Sequence, residues 1–266
     1  MDLRCVTANL NKALTPTTTR NWLEDSLAHA RPALVFGQEL RLSEAESIAD
    51  SAGYNIIGPR VEIDPKWWMG SWIMVRPDLP HRVDEHRYWT RFECYVAAGM
   101  VTLAGLGDVR VVSAHASPNL VSHADLAMWH DDLPDPRNGP TGLPNTLRYS
   151  DLVLHAIGTC SEGDPMLAAG DFNESRHYNE PLGEKFFDNV RGRGLVDVTY
   201  SRWREELPTH FDPKHRELQV DHVFATPDVD QLVVDRPELD GAWSSPESRV
   251  SRSDHAPVWF TLATSS

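Results

Sequence analysis

Five short apolar runs in this chain end on Asn, Glu, His or Asp, and this limits how the chain can fold. They are Thr7-Ala8-Asn9-Leu10-Asn11, Gly37-Gln38-Glu39-Leu40-Arg41, Ser113-Ala114-His115-Ala116-Ser117-Pro118, Gly170-Asp171-Phe172-Asn173 and Ser253-Asp254-His255-Ala256-Pro257. A strand covered on both faces reads as a continuous apolar run. A polar residue at its end must reach water or a partner, because burying it unpaired costs free energy. Such runs therefore carry polar groups to the rim of a buried sheet. Asp221 lies in a sixth strand. Taken singly, each has a structural explanation: Asp-x-Asn makes Asx turns, and a histidine at a strand end commonly just completes a hydrogen bond.

The order of elements follows from periodicity. A strand over 3–9 precedes a helical pattern from about Thr18 to Ala30, with Trp22, Leu23 and Leu27 on its apolar face and Pro32 stopping it. Ala33 to Glu39 reads as a buried strand, and a second helix covers Ser43 to Ala52, closed by Gly53. Strands follow over 71–75, 95–103 and 109–115, then a Pro-, Gly- and Asp-rich loop over 131–144. A helix over 147–160 leads to strands over 166–170, 219–225 and 256–262. Strand-rich stretches bracketed by helices predict two packed sheets with helices outside, an α/β sandwich. There is no Gly/Ser linker or repeat, so residues 1–266 are expected to form one domain.

Composition narrows the function. Three cysteines, Cys5, Cys94 and Cys160, are too scattered for a disulfide framework or a thiolate zinc site. No stretch approaches the roughly 20 apolar residues that span a bilayer, and the first residues enter a strand rather than a signal sequence. A cytoplasmic location is expected. The formal charge of −14 is unlike that of a protein gripping duplex nucleic acid by backbone neutralisation alone. It fits a solubilising surface, a small substrate, or nucleic acid held through metal ions and local arginines. Only four of the 25 basic residues are lysine (Lys12, Lys66, Lys185, Lys214).

Together and in this order, the polar-ended runs resemble the endonuclease/exonuclease/phosphatase superfamily, which includes DNase I, apurinic endonucleases, neutral sphingomyelinases, inositol polyphosphate 5-phosphatases and CCR4-type deadenylases. The resemblance runs from Asn9 to Pro257 and is strongest at Gly170-Asp171-Phe172-Asn173 and Ser253-Asp254-His255. It implies the DNase I-like fold, a four-layer sandwich of two packed mixed sheets flanked by helices. It implies a Mg²⁺ site, with Mn²⁺ as a substitute, built on Glu39 with Asn9 and Asp254, an oxygen donor set that suits a hard cation. Asn11 stands where apurinic endonucleases carry an aspartate. By the same resemblance Asp171 and Asn173 orient the attacking water and hold the phosphate. His255, oriented by Asp221, acts as a base toward water or as a cation on the phosphate.

His115, in a His-x-x-Pro setting, resembles the second catalytic histidine of the DNase I and sphingomyelinase branches, which can protonate a leaving oxygen. The glutamate that pairs with it in DNase I is missing from Trp67-Trp68-Met69-Gly70, so His115 has another partner or a lesser role. Arg41 stands where DNase I has a DNA-contacting arginine, and Arg91 could match a phosphate contact; both also read as surface ion-pair residues. Trp67 and Trp68 either flank the cleft or pack in the core. The expected function is Mg²⁺-dependent phosphodiester hydrolysis with DNA as substrate and no protein partner inferred. Hydrolysis of a sphingomyelin-type or small phosphate ester is the alternative, and a catalytically silent binding module is a third reading.

Overall fold

The computed structural model describes residues 2–10, 16–58, 70–84, 95–121, 148–160, 163–177, 182–211, 217–243 and 252–264. Among the described residues, twelve strands form two six-stranded mixed sheets. The first sheet, in the order β11-β12-β1-β2-β4-β3, uses β1 (Asp2–Asn9), β2 (Leu34–Gln38), β3 (Asn55–Ile57), β4 (Ser71–Val75), β11 (Glu238–Leu239) and β12 (Val258–Ala263). The second, in the order β5-β6-β7-β8-β10-β9, uses β5 (His81–Val83), β6 (Val96–Leu103), β7 (Gly107–His115), β8 (Met166–Asp171), β9 (Val196–Asp197) and β10 (Asp221–Ala225). Each sheet has one parallel pair at its centre, β1 with β2 and β7 with β8, and its other pairs are antiparallel. The first sheet closes by pairing β12, the last strand, with β1, the first.

Alternation of side chains builds the layers. Leu3, Cys5, Leu34, Phe36, Val109, Val111, Leu167, Ala169, Val223 and Ala225 face the space between the sheets and form the central core. The opposite faces of the same strands are covered by helices. On the first sheet, Val6, Ala8, Val35 and Trp72 pack against Leu23 and Leu27 of α1 (Pro16–Asp25) and its continuation, and against Ile48 of α2 (Leu42–Ala52). On the second, Val112, Ala114 and Ala168 pack against Leu152, Val153 and Ala156 of α3 (Tyr149–Cys160) and against Phe186, Phe187 and Val190 of α4 (Leu182–Gly192). The result is the four-layer α/β/β/α sandwich that the sequence leads one to expect.

The elements differ from expectation at their edges. The first helix begins at Pro16 and widens into a π turn over Ser26–Ala30, stopped by Arg31 in the left-handed conformation rather than by Pro32 itself. The sequence reading places no element over 182–192, yet an amphipathic helix stands there because Phe186, Phe187 and Val190 supply a face for the second sheet. The edge strands β3, β5, β9 and β11 have two or three residues each, too short for alternation to show. One glycine is indispensable to the second sheet. Gly170 has φ 152°, and a Cβ there would lie 1.9 Å from the Ala114 carbonyl oxygen, so only glycine lets β8 run this close to β7 just before Asp171.

Candidate active site

The inward-facing positions change character toward one rim of the sandwich. Along β1 they read Leu3, Cys5, Thr7, Asn9; along β2, Leu34, Phe36, Gln38; along β7, Val109, Val111, Ser113, His115; and along β8, Leu167, Ala169, Asp171. The last apolar residues give way to a buried polar layer. Gln38 Nε2 donates to Ser113 Oγ at 3.0 Å and to Thr7 Oγ1 at 3.4 Å, and Ser113 Oγ donates to the Gly37 carbonyl at 3.1 Å. The two bonds of Ser113 tie the two sheets together, and the bond to Thr7 holds Gln38 within its own sheet. A buried polar group left without its partner costs about 1–3 kcal/mol, so the layer fixes the spacing of the sheets directly beneath the site.

Above that layer the side chains converge on Asp171. Asn9 Nδ2 donates to Asp171 Oδ2 at 3.0 Å and to Glu39 Oε1 at 3.3 Å. Asn173 donates to the same carboxylate twice, from its main-chain N–H to Oδ1 at 2.8 Å and from Nδ2 to Oδ2 at 3.0 Å. His115 Nε2 lies 3.4 Å from Glu39 Oε1 and 3.7 Å from Asp171 Oδ2. His255 Nδ1 is 2.9 Å from Asp221 Oδ2, and its Nε2 is 3.9 Å from Asp171 Oδ2. Asp221 stands directly across the ladder from Asp171, and His115 is its register partner on the other side. One buried carboxylate is thus the meeting point of groups from both sheets and both ends of the chain.

Burial and charge set the proton affinities. Burial pushes the Asp171 carboxyl up to about 6, with Asp221 acting in the same direction and His255 and His115 opposing. Burial would also raise Asp221, but the His255 imidazole and the Thr209 hydroxyl hold it below the usual carboxylate range. Burial disfavours charge on His255, yet Asp221 and Asp171 prevail and push it up to about 10. Glu39, only partly enclosed, is held below its ordinary value: burial opposes its charge, while the hydrogen bond and charge of His115, then His255 and Asn9, favour it.

Two of the backbone positions are unusual. Four residues other than glycine have positive φ among the described residues. Arg31 and Arg204 do so as ordinary left-handed helix ends. Glu39 (φ 57°) and Asn173 (φ 52°) do so just past strand ends, beside the converging side chains. Asparagine tolerates this conformation, whereas a glutamate there is costly, and such strain gathers at functional sites. Asn173 is also braced from behind: Glu174 is buried in a pair with Arg148 at 2.9 Å and accepts from Ser150 Oγ at 2.6 Å.

The structure brings Asn9, Glu39, His115, Asp171, Asn173, Asp221 and His255 together. Asp254 adjoins them beside His255, with Oδ2 3.8 Å from His210 Nε2. The partner found for His115 is Glu39, through Nε2; its Nδ1 has no hydrogen-bond partner among the described residues. Arg41 is exposed at the start of α2, two residues beyond Glu39. Arg91, Asn11, Trp67, Trp68, Cys94 and the 131–144 loop lie outside the described residues.

Two participants, Thr209 and His210, escape a sequence reading, and a third, Ser253, stands in a quoted motif without a role of its own. Thr209 accepts from the main-chain N–H groups of Val220 and Asp221, at 3.0 and 3.1 Å. Ser253 donates through Oγ to the Asn9 carbonyl at 3.0 Å and accepts from the His255 N–H, which joins the chain's two ends. His210 packs edge-on against His255, with ring centroids 4.9 Å apart. None of these sits in a regular strand, so no periodicity marks them. Gln38 is different, because its parity with Leu34 and Phe36 signals an inward-facing amide.

Comparison with known proteins gives a consistent result. The family model described as the Endonuclease/Exonuclease/phosphatase family matches residues 6–255. Similar solved structures include the endonuclease domain of TRAS1, a telomere-specific non-LTR retrotransposon, at 16% identity and TM-score 0.65, covering 99% of each chain. A 3′ phosphatase from Neisseria bound to a product DNA hairpin is similar at 16% identity and TM-score 0.65, covering 98% of this chain and 99% of that one. An AP endonuclease from Leishmania major is similar at 12% identity and TM-score 0.68, covering 99% of this chain and 88% of that one. At such identities the likeness speaks for the fold. No curated protein matches the chain.

Proposed function

Because this chain belongs to the endonuclease/exonuclease/phosphatase family of phosphate-ester hydrolases, we propose that it is a Mg²⁺-dependent phosphodiesterase whose substrate is DNA. The observation that carries this reading is the convergence of Asn9, Asn173, His115 and His255 on the buried Asp171 carboxylate, with Glu39 beside it.

The residues fit a hard cation. Glu39 is held ionised and keeps contact with solvent, and Asp254 adds a second carboxylate with about a third of its side-chain surface exposed. Asn9 offers an amide whose oxygen and nitrogen exchange places by a half-turn. Glu39, Asp254 and Asn9 would hold Mg²⁺, or Mn²⁺ in its place, and the ion would supply charge to polarise the phosphoryl oxygens. The chain's own groups do the rest. Asp171, with a proton affinity near neutrality, orients a water molecule and takes its proton. Asn173 donates to a non-bridging oxygen as negative charge builds there. His255, carrying its proton through Asp221 and Asp171, meets the phosphate as a cation. His115 steadies Glu39. Arg41, exposed two residues further on, is a phosphate contact for a longer substrate.

Nucleic-acid relatives support DNA: one similar structure holds a DNA hairpin. The net charge of −14 favours the alternative, a sphingomyelin-type or small phosphate ester. A panel of plasmid, oligonucleotide, sphingomyelin and a chromogenic phosphodiester, each run with Mg²⁺, Mn²⁺ and EDTA, separates the two. Cleavage of plasmid or oligonucleotide that EDTA abolishes is the expected result. Equal signal with Mg²⁺ and EDTA refutes the metal-dependent mechanism.

A further inference from the structure

A second set of donors lies on the solvent side of His255. His210, Asp254 and His255 each offer one ligand atom, and these atoms lie within 4.8 Å of one another. Main-chain pairing fixes the arrangement. His210 bridges antiparallel to Leu218 on one side and to His255 on the other. The Phe211 N–H donates to the Asp254 carbonyl at 2.9 Å, and the Ala256 N–H donates to the Thr209 carbonyl at 2.7 Å, so the two segments are clamped on both sides of the histidine pair. Residues directly opposite in an antiparallel pair project onto the same face, and the two imidazole centroids are 4.9 Å apart. His210 Nε2 is 3.8 Å from Asp254 Oδ2. Ligand atoms around a tetrahedral ion with bonds of about 2.0–2.1 Å sit roughly 3.3 Å apart, so modest side-chain rotation closes the gap.

The chemistry of this set differs from that around Glu39. Two imidazoles and one carboxylate suit Zn²⁺, Co²⁺ or Ni²⁺, whereas Mg²⁺ calls for oxygen. The Asp221 carboxylate bound to His255 Nδ1 leaves Nε2 to the ion, which displaces the proton His255 otherwise carries there; this is the carboxylate–histidine–metal arrangement that orients ligands in zinc sites. His210 and Asp254 keep 27% and 34% of their side-chain surface exposed, which gives an ion access and leaves room for water to complete its coordination.

We propose that His210, Asp254 and His255 form a second cation site selective for Zn²⁺ and similar borderline divalent ions over Mg²⁺, and that filling it switches hydrolysis off. The ion occupies the His255 nitrogen that faces the phosphate and draws Asp254 away from the Glu39 side. The switching-off rests on the role given to His255 above; the binding itself does not.

The test is a Co²⁺ titration of the intact protein followed by visible absorption, alongside Zn²⁺ inhibition of Mg²⁺-supported hydrolysis with each protein normalised to its own Mg²⁺ rate. Wild-type protein should show the intense bands of a four- or five-coordinate nitrogen-containing site, displaced by Zn²⁺ and not by excess Mg²⁺. His210→Ala, and His210→Phe, which keeps a ring against His255, should both lose the bands and raise the half-inhibitory Zn²⁺ concentration by about tenfold or more, the scale of losing a metal-site partner. Bands and inhibition that persist in both variants overturn the site, as does a weak, oxygen-type Co²⁺ spectrum in the wild type. Bands that depend on His210 in a protein hydrolysing none of the substrates uphold the site and refute the phosphodiesterase reading alone.

Discussion

The centre of one sheet can be laid over the centre of the other. In the first sheet β1 runs parallel to β2, which pairs antiparallel with β4; in the second, β7 runs parallel to β8, which pairs antiparallel with β10. The rim residues correspond through the register. Asn9 faces Gln38, which faces Ser71; His115 faces Asp171, which faces Asp221. Equivalent positions therefore carry neutral amides and a hydroxyl in one sheet and ionisable groups in the other. Gln38 and Asp171 are both buried, yet Gln38 spends its donors clamping the sheets, whereas Asp171 is surrounded by groups that shift its proton affinity. Burial of a neutral group asks only for hydrogen bonds, while burial of a titratable group changes its chemistry. The two rims differ in function because of residue type at matched places, not because of topology.

Substitutions on the ionisable rim should have the largest effect and fall on turnover. Asp171→Asn keeps the shape of the side chain, and His255→Ala removes the group that meets the phosphate. Each is expected to cost at least about 10³-fold in kcat, roughly 4 kcal/mol of barrier, with the thermal transition retained. Near wild-type turnover in either variant would remove that residue from the mechanism. On the neutral rim, Gln38→Leu should show the reverse pattern. Losing the bonds to Ser113 and Thr7 should lower stability by about 1–3 kcal/mol, read as a shifted denaturant midpoint, with a far smaller loss of turnover than Asp171→Asn. If Gln38→Leu stopped catalysis while stability held, the contrast between the rims would be wrong.

The brace behind Asn173 yields a pH signature. Burial pushes Glu174 up to about 7 from 4.5, against the opposing charge of Arg148. A carboxyl raised on folding contributes stability that is full below its unfolded value and lost as pH rises through its folded value. The wild type should therefore lose melting temperature relative to Glu174→Gln between about pH 4.5 and 7, with a constant difference above that range. A flat difference from pH 4 to 8 would show that Glu174 titrates normally. The smallest effect is expected at the exposed edge. Arg41→Ala should weaken DNA binding several-fold and reduce the salt slope by about one, with hydrolysis of a small chromogenic phosphodiester unchanged. Equal losses on both substrates would place Arg41 in structure rather than in DNA contact.

The sequence made the layers legible because burial leaves a period-two trace in long strands. The runs ending at Asn9, Glu39, His115 and Asp171 were each visible as apolar segments with a polar end. Short edge strands leave no such trace, and the sequence reading places no element at α4, whose Phe186, Phe187 and Val190 face the second sheet. The partner of His115 was equally hidden: the stretch 67–70 holds no glutamate, and the group beside His115 is Glu39, from the other sheet.

What the sequence alone determined is the set of polar strand ends, the family they mark and the two-sheet sandwich that buries the runs preceding them. Tertiary structure decided which ends meet. Asn9 and Asp171 are 162 positions apart and share a 3.0 Å hydrogen bond, and His210 gained a place beside His255 from a loop with no periodicity. The reason is physical: local patterning records which face of an element is buried, but it carries no distance between elements, and that distance is set by how the two sheets pack across their common core.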